Sequence, residues 1–404
     1  MGDSLERLVR EHRPGFSLGQ DFYRAAPVYQ EELRRFLGRH WIAAGHASEI
    51  PERGDYLLFD GLDASVIVVR AADGAIHALH NVCRHRGARL CEEAQGRLSM
   101  ITCRYHGWSY RLNGELAAWR HMPDGLDKGE HALRRCGVAL FEGIIFISLE
   151  PEHAPDPAAM LRHAAPFWSR FDFARCKVAT QRSWRLAANW KLAVENTLEC
   201  YHCMSGHPEY TAANAFVKAD ELPASADAAK FAAYRATWEA GLEGRILLGR
   251  SGIVETGGQP CRAGTFPLAP GQATGSQDGK PLAPLLGTVA AFDESVTTGC
   301  VGFLTYLAAM CDHALLVTYV PRSADETLVV MKWLVRGDAR EGVDYDVDRL
   351  RWLWETTTEQ DKRLVELNAA GVATRGYVPG PYSTLEAMTA DFVERYLKLM
   401  APSR

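Results

Sequence analysis

The sequence predicts an α+β protein in which a small all-β module precedes a larger unit of antiparallel sheet and flanking helices. Three observations carry this. Apolar residues recur at helical spacing within residues 1–40. From Trp41 the pattern changes to short strand-like runs that continue to about Pro151. A second set of strand-like runs, between Gly302 and Val335, leads into a long amphipathic stretch from Asp344 to Ala369. A chain of 404 residues has the length of two or three domains and can bury a large core. The expected division is a helical part over 1–40 that belongs with the second domain, an all-β domain over 41–151, and the second domain over 152–404.

Taken in order, Tyr29 to Leu37 follows Pro27 with helical spacing. Asp55–Asp60, Ala64–Arg70 and Ala75–Leu79 read as strands separated by Gly61 and Asp73-Gly74, and Gly143–Ser148 closes the module. A Pro/Ala-rich hinge after Pro151 precedes a helix from Met160 to Phe173. Ala212 to Trp238 has helical composition, and Gly257 to Gly287, rich in Gly and Pro, reads as a long loop. Strands follow at Gly302–Leu307, His313–Val320 and Glu326–Val335. The long helix of Asp344–Ala369 and a last one from Thr384 to Met400 complete the chain.

Composition narrows the function classes. An apolar content of 47% and charged content of 24% are those of a globular protein, and a net charge of −5 points away from nucleic acid. No apolar run reaches the ~18 residues of a transmembrane helix, and the N-terminus lacks a signal-peptide core. The expectation is a cytoplasmic chain with no membrane partner. Its ten cysteines are then reduced thiols or metal ligands. Cys200 and Cys203 read as packing residues.

Two constellations carry chemistry. Cys83-x-His85 is followed after seventeen residues by Cys103-x-x-His106. Zinc fingers pair Cys with Cys and His with His, whereas here each pair is mixed. Mixed pairs on two loops suit a Rieske [2Fe–2S] cluster, two thiolates holding one iron and two imidazoles the other. The second constellation lies in NWKLAVENTLECYHCMSGHPEY, residues 189–210, with Glu199, His202 and His207 inside nine residues. Glu199 and His202 would share a face of a helix. Five residues turn a regular helix by about 500°, which leaves His202 and His207 roughly 140° apart. They converge only if the helix ends between them, and Gly206 and Pro208 stand where an ending needs them. Two imidazoles and one carboxylate from elsewhere make the facial triad of non-haem Fe(II) oxygenases; a helix with two satisfied structural histidines is the alternative reading.

The two motifs, in this order, resemble the α subunits of Rieske non-haem iron oxygenases over nearly the whole chain. The resemblance implies an all-β Rieske domain and a catalytic domain with mononuclear iron on His202, His207 and a carboxylate of a late helix. Asp361, in TTEQDKRLVE, matches that carboxylate, with Asp344, Asp346, Asp348 and Glu359 as neighbouring competitors. Glu199 matches the family's bridging acid, usually aspartate, which links a cluster of one subunit to the iron of the next in a homotrimer. The Glu at this position, ANWKLAVENTLECYHC and GYVPGPYSTLEAMTADFVERYL resemble the members acting on glycine betaine, stachydrine, choline and carnitine. Met204-Ser205-Gly206 before His207 departs from the close betaine oxygenases.

The resemblance therefore implies a monooxygenase that uses O2 to hydroxylate a C–H next to a quaternary nitrogen, ending in N-demethylation. Electrons come from NAD(P)H through a separate flavin and iron–sulfur reductase, since no GxGxxG follows a strand here. A trimethylammonium group needs an aromatic cage, for which Tyr210, Phe216, Trp238, Phe303, Tyr306 and Tyr319 are candidates, each of them equally a core residue. Aromatic-ring hydroxylation is the competing reaction. A simple Rieske electron carrier would need only about 100–150 residues.

Overall fold

The computed structural model describes residues 2–401. The N-terminal segment folds as helices Gly2–Glu11, Gln20–Arg24 and Ala26–Glu32, ending in one π turn, Leu33–Leu37. These helices pack on the end of the chain and also touch the module that follows them, through Gln30 and Asp63 (2.9 Å). Glu32 is fully buried, and it accepts hydrogen bonds from Lys191 Nζ (2.5 Å), Tyr396 Oη (2.7 Å) and Trp190 Nε1 (2.8 Å). A buried carboxylate survives only with such partners, and losing one typically costs ~3–5 kcal/mol.

The all-β module is a seven-stranded antiparallel sheet with a separate three-stranded sheet. Its strands Asp55–Gly61, Ala64–Arg70, Ile76–His80 and Ile144–Ser148 lie within a residue of the runs expected from the sequence. The three-stranded sheet, Ile101–Thr102, Ser109–Tyr110 and Leu116–Ala118, carries one metal-motif loop between its first two strands. The other loop leaves the end of Ile76–His80. The module is pinned to the second sheet at Trp41, whose N–H donates to Gln259 Oε1 (2.9 Å) and whose carbonyl accepts from Gln259 Nε2 (2.7 Å).

The second sheet is antiparallel with eight strands: seven run from Cys176–Leu186 through Thr327–Arg336, Ala314–Pro321, Thr305–Ala309, Ser295–Val301 and Gln259–Pro267 to Gly249–Arg250, and the eighth, Val254–Thr256, also pairs with Gln259–Pro267. Three of the longer strands depart from the sequence reading, and the short Gly249–Arg250 and Val254–Thr256 fall in a stretch with no expected strand. Gln259–Pro267 lies inside the stretch expected to be a loop. Seven of its nine residues are buried, so no polar alternation marks it. Its Gly264 fits because a Cβ there would stand 2.9 Å from the Gly249 carbonyl oxygen. Cys176–Leu186 is a partly exposed edge strand whose polar residues hide the strand signal. Ser295–Val301, SVTTGCV, begins before the run from Gly302 and is a separate strand.

Two helices cross this sheet and bring the site together. Trp190–Thr197 starts at Asn189, whose side-chain oxygen accepts from the Lys191 N–H (3.0 Å). Val347–Val372 starts at Asp346, which accepts from the Arg349 N–H (2.9 Å). The last helix, Ala387–Met400, closes the core beside Trp190 and Phe36 through Phe392 and Tyr396.

Candidate metal centres

The two loops of the all-β module are built alike. In each, the cysteine N–H donates to the carbonyl five residues on: Cys83 to Ala88 and Cys103 to Trp108, both 2.8 Å. In each, a glycine N–H returns to the cysteine carbonyl: Gly87 to Cys83 at 3.0 Å and Gly107 to Cys103 at 2.9 Å. Gly87 and Gly107 have φ of 81° and 74°, a left-handed turn that a β-carbon disfavours. The glycines thus close the turns that aim both pairs at one point. Cys83 and Cys103 are buried, at 3% and 2% exposure, while His106 is exposed and His85 half-buried. The His85 and His106 Nδ1 atoms stand 3.2 Å apart. Burial pushes the Cys83 thiol pKa up, against a hydrogen bond from Tyr110. Two buried sulfurs and two imidazoles nearer solvent match the donor set of a Rieske cluster.

In the larger domain the helix Trp190–Thr197 ends well before His202. Glu199 and His202 therefore meet across a turn rather than along a helix face. Glu199 Oε1 bonds His202 Nδ1, and its other oxygen accepts from the backbone N–H groups of Tyr201 and His202. A short turn, Cys203–Gly206, follows, and His207 leaves helical geometry at φ −134° and ψ 75° before the helix Pro208–Ala213. The break falls where Gly206 and Pro208 require it.

That break lets both imidazoles face Asp361, on Val347–Val372. His207 Nε2 is 2.9 Å and His202 Nε2 3.3 Å from Asp361 Oδ1. Each imidazole is oriented through its other nitrogen, His202 by Glu199 and His207 by Gln360 Oε1 at 2.8 Å. Gln360 is held in turn by Glu209, at 2.8 Å. Two imidazoles and a carboxylate around one point, with fixed outer hydrogen bonds, fit a mononuclear Fe(II) ion. Burial lowers the pKa of His202, but hydrogen bonds to Asp361 and Glu199 outweigh it and push it up to about 9. Burial raises that of Asp361, and the two histidines more than reverse the effect.

The competing acids are engaged elsewhere. Asp346 caps its helix, Asp344 accepts from the Arg340 N–H (2.8 Å), Asp348 pairs with Arg351 (2.5 Å) and Glu359 accepts from Trp184 Nε1 (2.5 Å). Gln360, Trp354 and Asn196, whose Nδ2 lies 3.3 Å from His202 Nε2, were not singled out in the sequence. The signal for Gln360 was its place beside Asp361. One reading is corrected: Cys200 and Cys203 are joined by a disulfide rather than being packing thiols. The turn around His202 brings their Cα atoms to 4.9 Å, within bridging reach. The other eight cysteines are free.

A small cavity of about 100 Å³ borders the triad, lined by Tyr210, Tyr306, Tyr319 and Trp354 among others. The rings of Tyr210 and Trp354 meet edge to face at 5.8 Å. Of the remaining aromatic candidates, Phe216 lines an adjoining cavity, Trp238 donates to the Asp293 carbonyl (2.7 Å), and Phe303 packs in the core against Phe36 and Phe392.

Residues 40–134 match the Rieske [2Fe–2S] domain and residues 173–402 the catalytic domain of the ring-hydroxylating α subunit. The chain is 37% identical to the glycine betaine monooxygenase oxygenase subunit of Pseudomonas aeruginosa, over 99% of its own length and 94% of the relative's. It is 30% identical to the carnitine monooxygenase oxygenase subunit of Escherichia coli over 51% of its length and 56% of that protein. Its fold is shared with the quaternary ammonium Rieske monooxygenase CntA bound to γ-butyrobetaine, with a TM-score of 0.71 at 19% identity and 98% of both chains covered. It is shared equally with naphthalene 1,2-dioxygenase from Rhodococcus sp., with a TM-score of 0.69 at 21% identity, covering 99% of this chain and 98% of that one. No helix among the described residues is long and apolar enough to cross a membrane. With a Cys2His2 pair of loops in one domain, a His2Asp convergence in the other, and both domains matched in order, the chain belongs to the Rieske non-haem iron oxygenases as an oxygenase α subunit.

Proposed function

We propose that this α subunit is the terminal oxygenase for a quaternary ammonium compound and hydroxylates a C–H next to the nitrogen, leading to oxidative N-demethylation. Full-length likeness to a glycine betaine monooxygenase subunit carries the reading. The tyrosines and Trp354 beside the triad support it, because a trimethylammonium group has no hydrogen-bond donor and is held by aromatic faces, at about 0.5–2 kcal/mol each. The balance is one O2, two electrons and two protons to one substrate hydroxyl and one water. The C–N bond of the resulting hemiaminal then breaks to aldehyde and amine.

In this reading the cluster, when bound, passes single electrons and the iron activates O2. Cys83, Cys103, His85 and His106 hold the first, and His202, His207 and Asp361 the second. Glu199 and Gln360 keep the two imidazoles turned to the iron. Electrons enter from a separate flavin and iron–sulfur reductase, in the cytoplasm. Glu199 lines the metal-side pocket and also a cleft of about 360 Å³ on its other side. That double exposure supports its role as the bridge from the cluster of a neighbouring subunit in a head-to-tail homotrimer.

The test is turnover by the enzyme carrying both metal centres, with a surrogate reductase and NADH. Glycine betaine, stachydrine, carnitine and choline are compared with naphthalene and biphenyl. The expected result is aldehyde release matched to O2 uptake with at least one quaternary ammonium compound. Hydroxylated arene with no aldehyde from any ammonium compound would replace this reading with ring hydroxylation.

A further inference from the structure

A second cavity, of about 430 Å³, adjoins the metal-side pocket and shares Thr197, Glu199, Cys200, Tyr210, Tyr306 and Trp354 with it. Its volume is that of a small-molecule site. Beyond the shared residues its lining is mostly apolar and carries four charged side chains, Asp220, Glu221, Arg235 and Arg250. Three of these four are accounted for or secondary. Arg235 is held by Glu239 at 2.7 Å, and Glu221 accepts from the Met204 N–H at 3.4 Å. Asp220 lies in the field of Arg250 and Arg235 and is hydrogen-bonded to neither.

Arg250 differs from the rest. It sits on the edge strand Gly249–Arg250, with its guanidinium over the Phe266 ring at 5.4 Å from the centroid. Among the described residues its side chain forms no ion pair and no hydrogen bond. Phe266 lines the same cavity. A guanidinium stacked on an aromatic face keeps its edge N–H groups in plane and free for a planar, two-oxygen acceptor. The cavity therefore offers aromatic faces shared with the metal-side pocket and, outside that shared set, the exposed Arg250 with a fork of donors that has no partner among the described residues.

Resting on the quaternary ammonium reading above, we propose that Arg250 is a specificity-determining residue that receives the carboxylate of a zwitterionic substrate. The reaction requires the carbons on nitrogen to face the metal, so the cationic head lies against Tyr210, Tyr306 and Trp354. The carboxylate then turns toward the lining outside the shared residues, where Arg250 is the cation with no protein partner among the described residues. Arg250 thus selects betaines over choline, which carries the same head and no carboxylate, and it fixes which end of the molecule reaches the iron. Asp220 competes with the substrate carboxylate for Arg250.

The test uses the metal-loaded oxygenase and reads the Kd of glycine betaine and of choline by calorimetry, beside KM and kcat. Arg250→Gln should raise the glycine betaine to choline Kd ratio at least about tenfold, the size expected for a lost charge-assisted hydrogen bond, with the KM ratio moving in parallel. Arg250→Lys should fall between Arg250→Gln and wild type. Asp220→Asn should shift the ratio the opposite way, which a merely structural arginine would not produce. A ratio unchanged in Arg250→Gln overturns the assignment while leaving the substrate class standing. If Arg250→Gln does not fold, an unchanged ratio in Asp220→Asn overturns it. Wild-type enzyme that binds neither compound removes the substrate class itself, and the assignment with it.

Discussion

At the scale of single residues, the triad rests on one carboxylate oxygen. Asp361 Oδ1 is the point on which both imidazoles converge, and every other acid in its helix's first turns or beside it is already bonded. Removing Asp361 leaves two imidazoles still held by Glu199 and Gln360, so the scaffold survives while the site loses the carboxylate that both imidazoles face. Asp361→Ala is expected to retain the visible spectrum of the Rieske cluster, to lose the catalytic iron and to fall below about 1% of wild-type turnover. Iron analysis with optical and EPR spectra of the same sample checks this. A variant with full mononuclear iron and normal turnover would move the ligand role to another residue. Asp361→Glu, which keeps the charge but moves it by one methylene, should recover iron before it recovers turnover.

At the scale of elements, the helix Trp190–Thr197 joins the core to the site, and its burial has a consequence for stability. Glu195 lies on it with both oxygens 3.0 Å from Tyr23 Oη. Burial raises its pKa to about 8 from 4.5, against the Tyr23 hydrogen bond and Lys191 and with Glu386 adding to the rise. The folded protein therefore keeps a proton that the unfolded chain has released over that interval. The stability this confers is full below the unfolded value and is lost as pH rises through about 8. The melting temperature of the wild type should fall as pH rises from about 4.5 to about 8 and level off above it, and Glu195→Gln should flatten that slope and be the more stable of the two at the alkaline end. The difference is of order several kcal/mol, at about 1.4 kcal/mol per pKa unit. Parallel melting profiles would show that the proton is not held there. Elements with strong local patterns were legible in the sequence. The hairpins of the all-β module were, because β-branched and aromatic runs stand between turn residues such as Gly61 and Asp73-Gly74, and the helix Val347–Val372 was, because its apolar positions recur at helical spacing. Gln259–Pro267 was not, since burial on both faces erases alternation, and Cys176–Leu186 was not, since an edge strand with Gln181, Arg182 and Arg185 resembles a loop. The loop motifs announced themselves through residue type and spacing, as did the break at Gly206. Gln360 and Trp354 did not, because their roles depend on which helix face meets which strand, and on the fold of the whole domain.

At the scale of the molecule, the two metal centres occupy different domains of one chain, and the proposed route between them runs through a neighbour. His106 stands at the surface of the all-β module, and Glu199 is reachable from a cleft that Tyr23, Tyr377, Tyr382 and Glu386 also line. Around the exposed histidine, Arg84 and Arg86 leave the cluster end basic, with Tyr105 59% exposed, while the cleft carries Glu199 and Glu386. Opposite charge on two ends of one chain favours head-to-tail contact over like-to-like, and such contacts close into a ring. The direction of electron flow can be read by mixing defects. His106→Ala removes a proposed cluster ligand from an exposed position and leaves His202, His207 and Asp361 intact, whereas Asp361→Ala does the reverse. Each variant alone should be inactive whichever way electrons travel. Unfolded together or co-expressed in equal amounts, they form mixed rings in which some Asp361→Ala subunits, with a sound cluster, precede a His106→Ala subunit with sound iron. Random assembly places such a pair at about a quarter of the junctions, so about a quarter of wild-type turnover should return. If electrons stay within a subunit, no chain in the mixture holds both centres and no activity returns. Adding Glu199→Gln to the His106→Ala chain should then abolish the recovered activity, whereas adding it to the Asp361→Ala chain should leave it, because only the subunit that receives electrons needs the bridge. Recovery equal in both cases would separate the trimer, which would stand, from the role of Glu199, which would not.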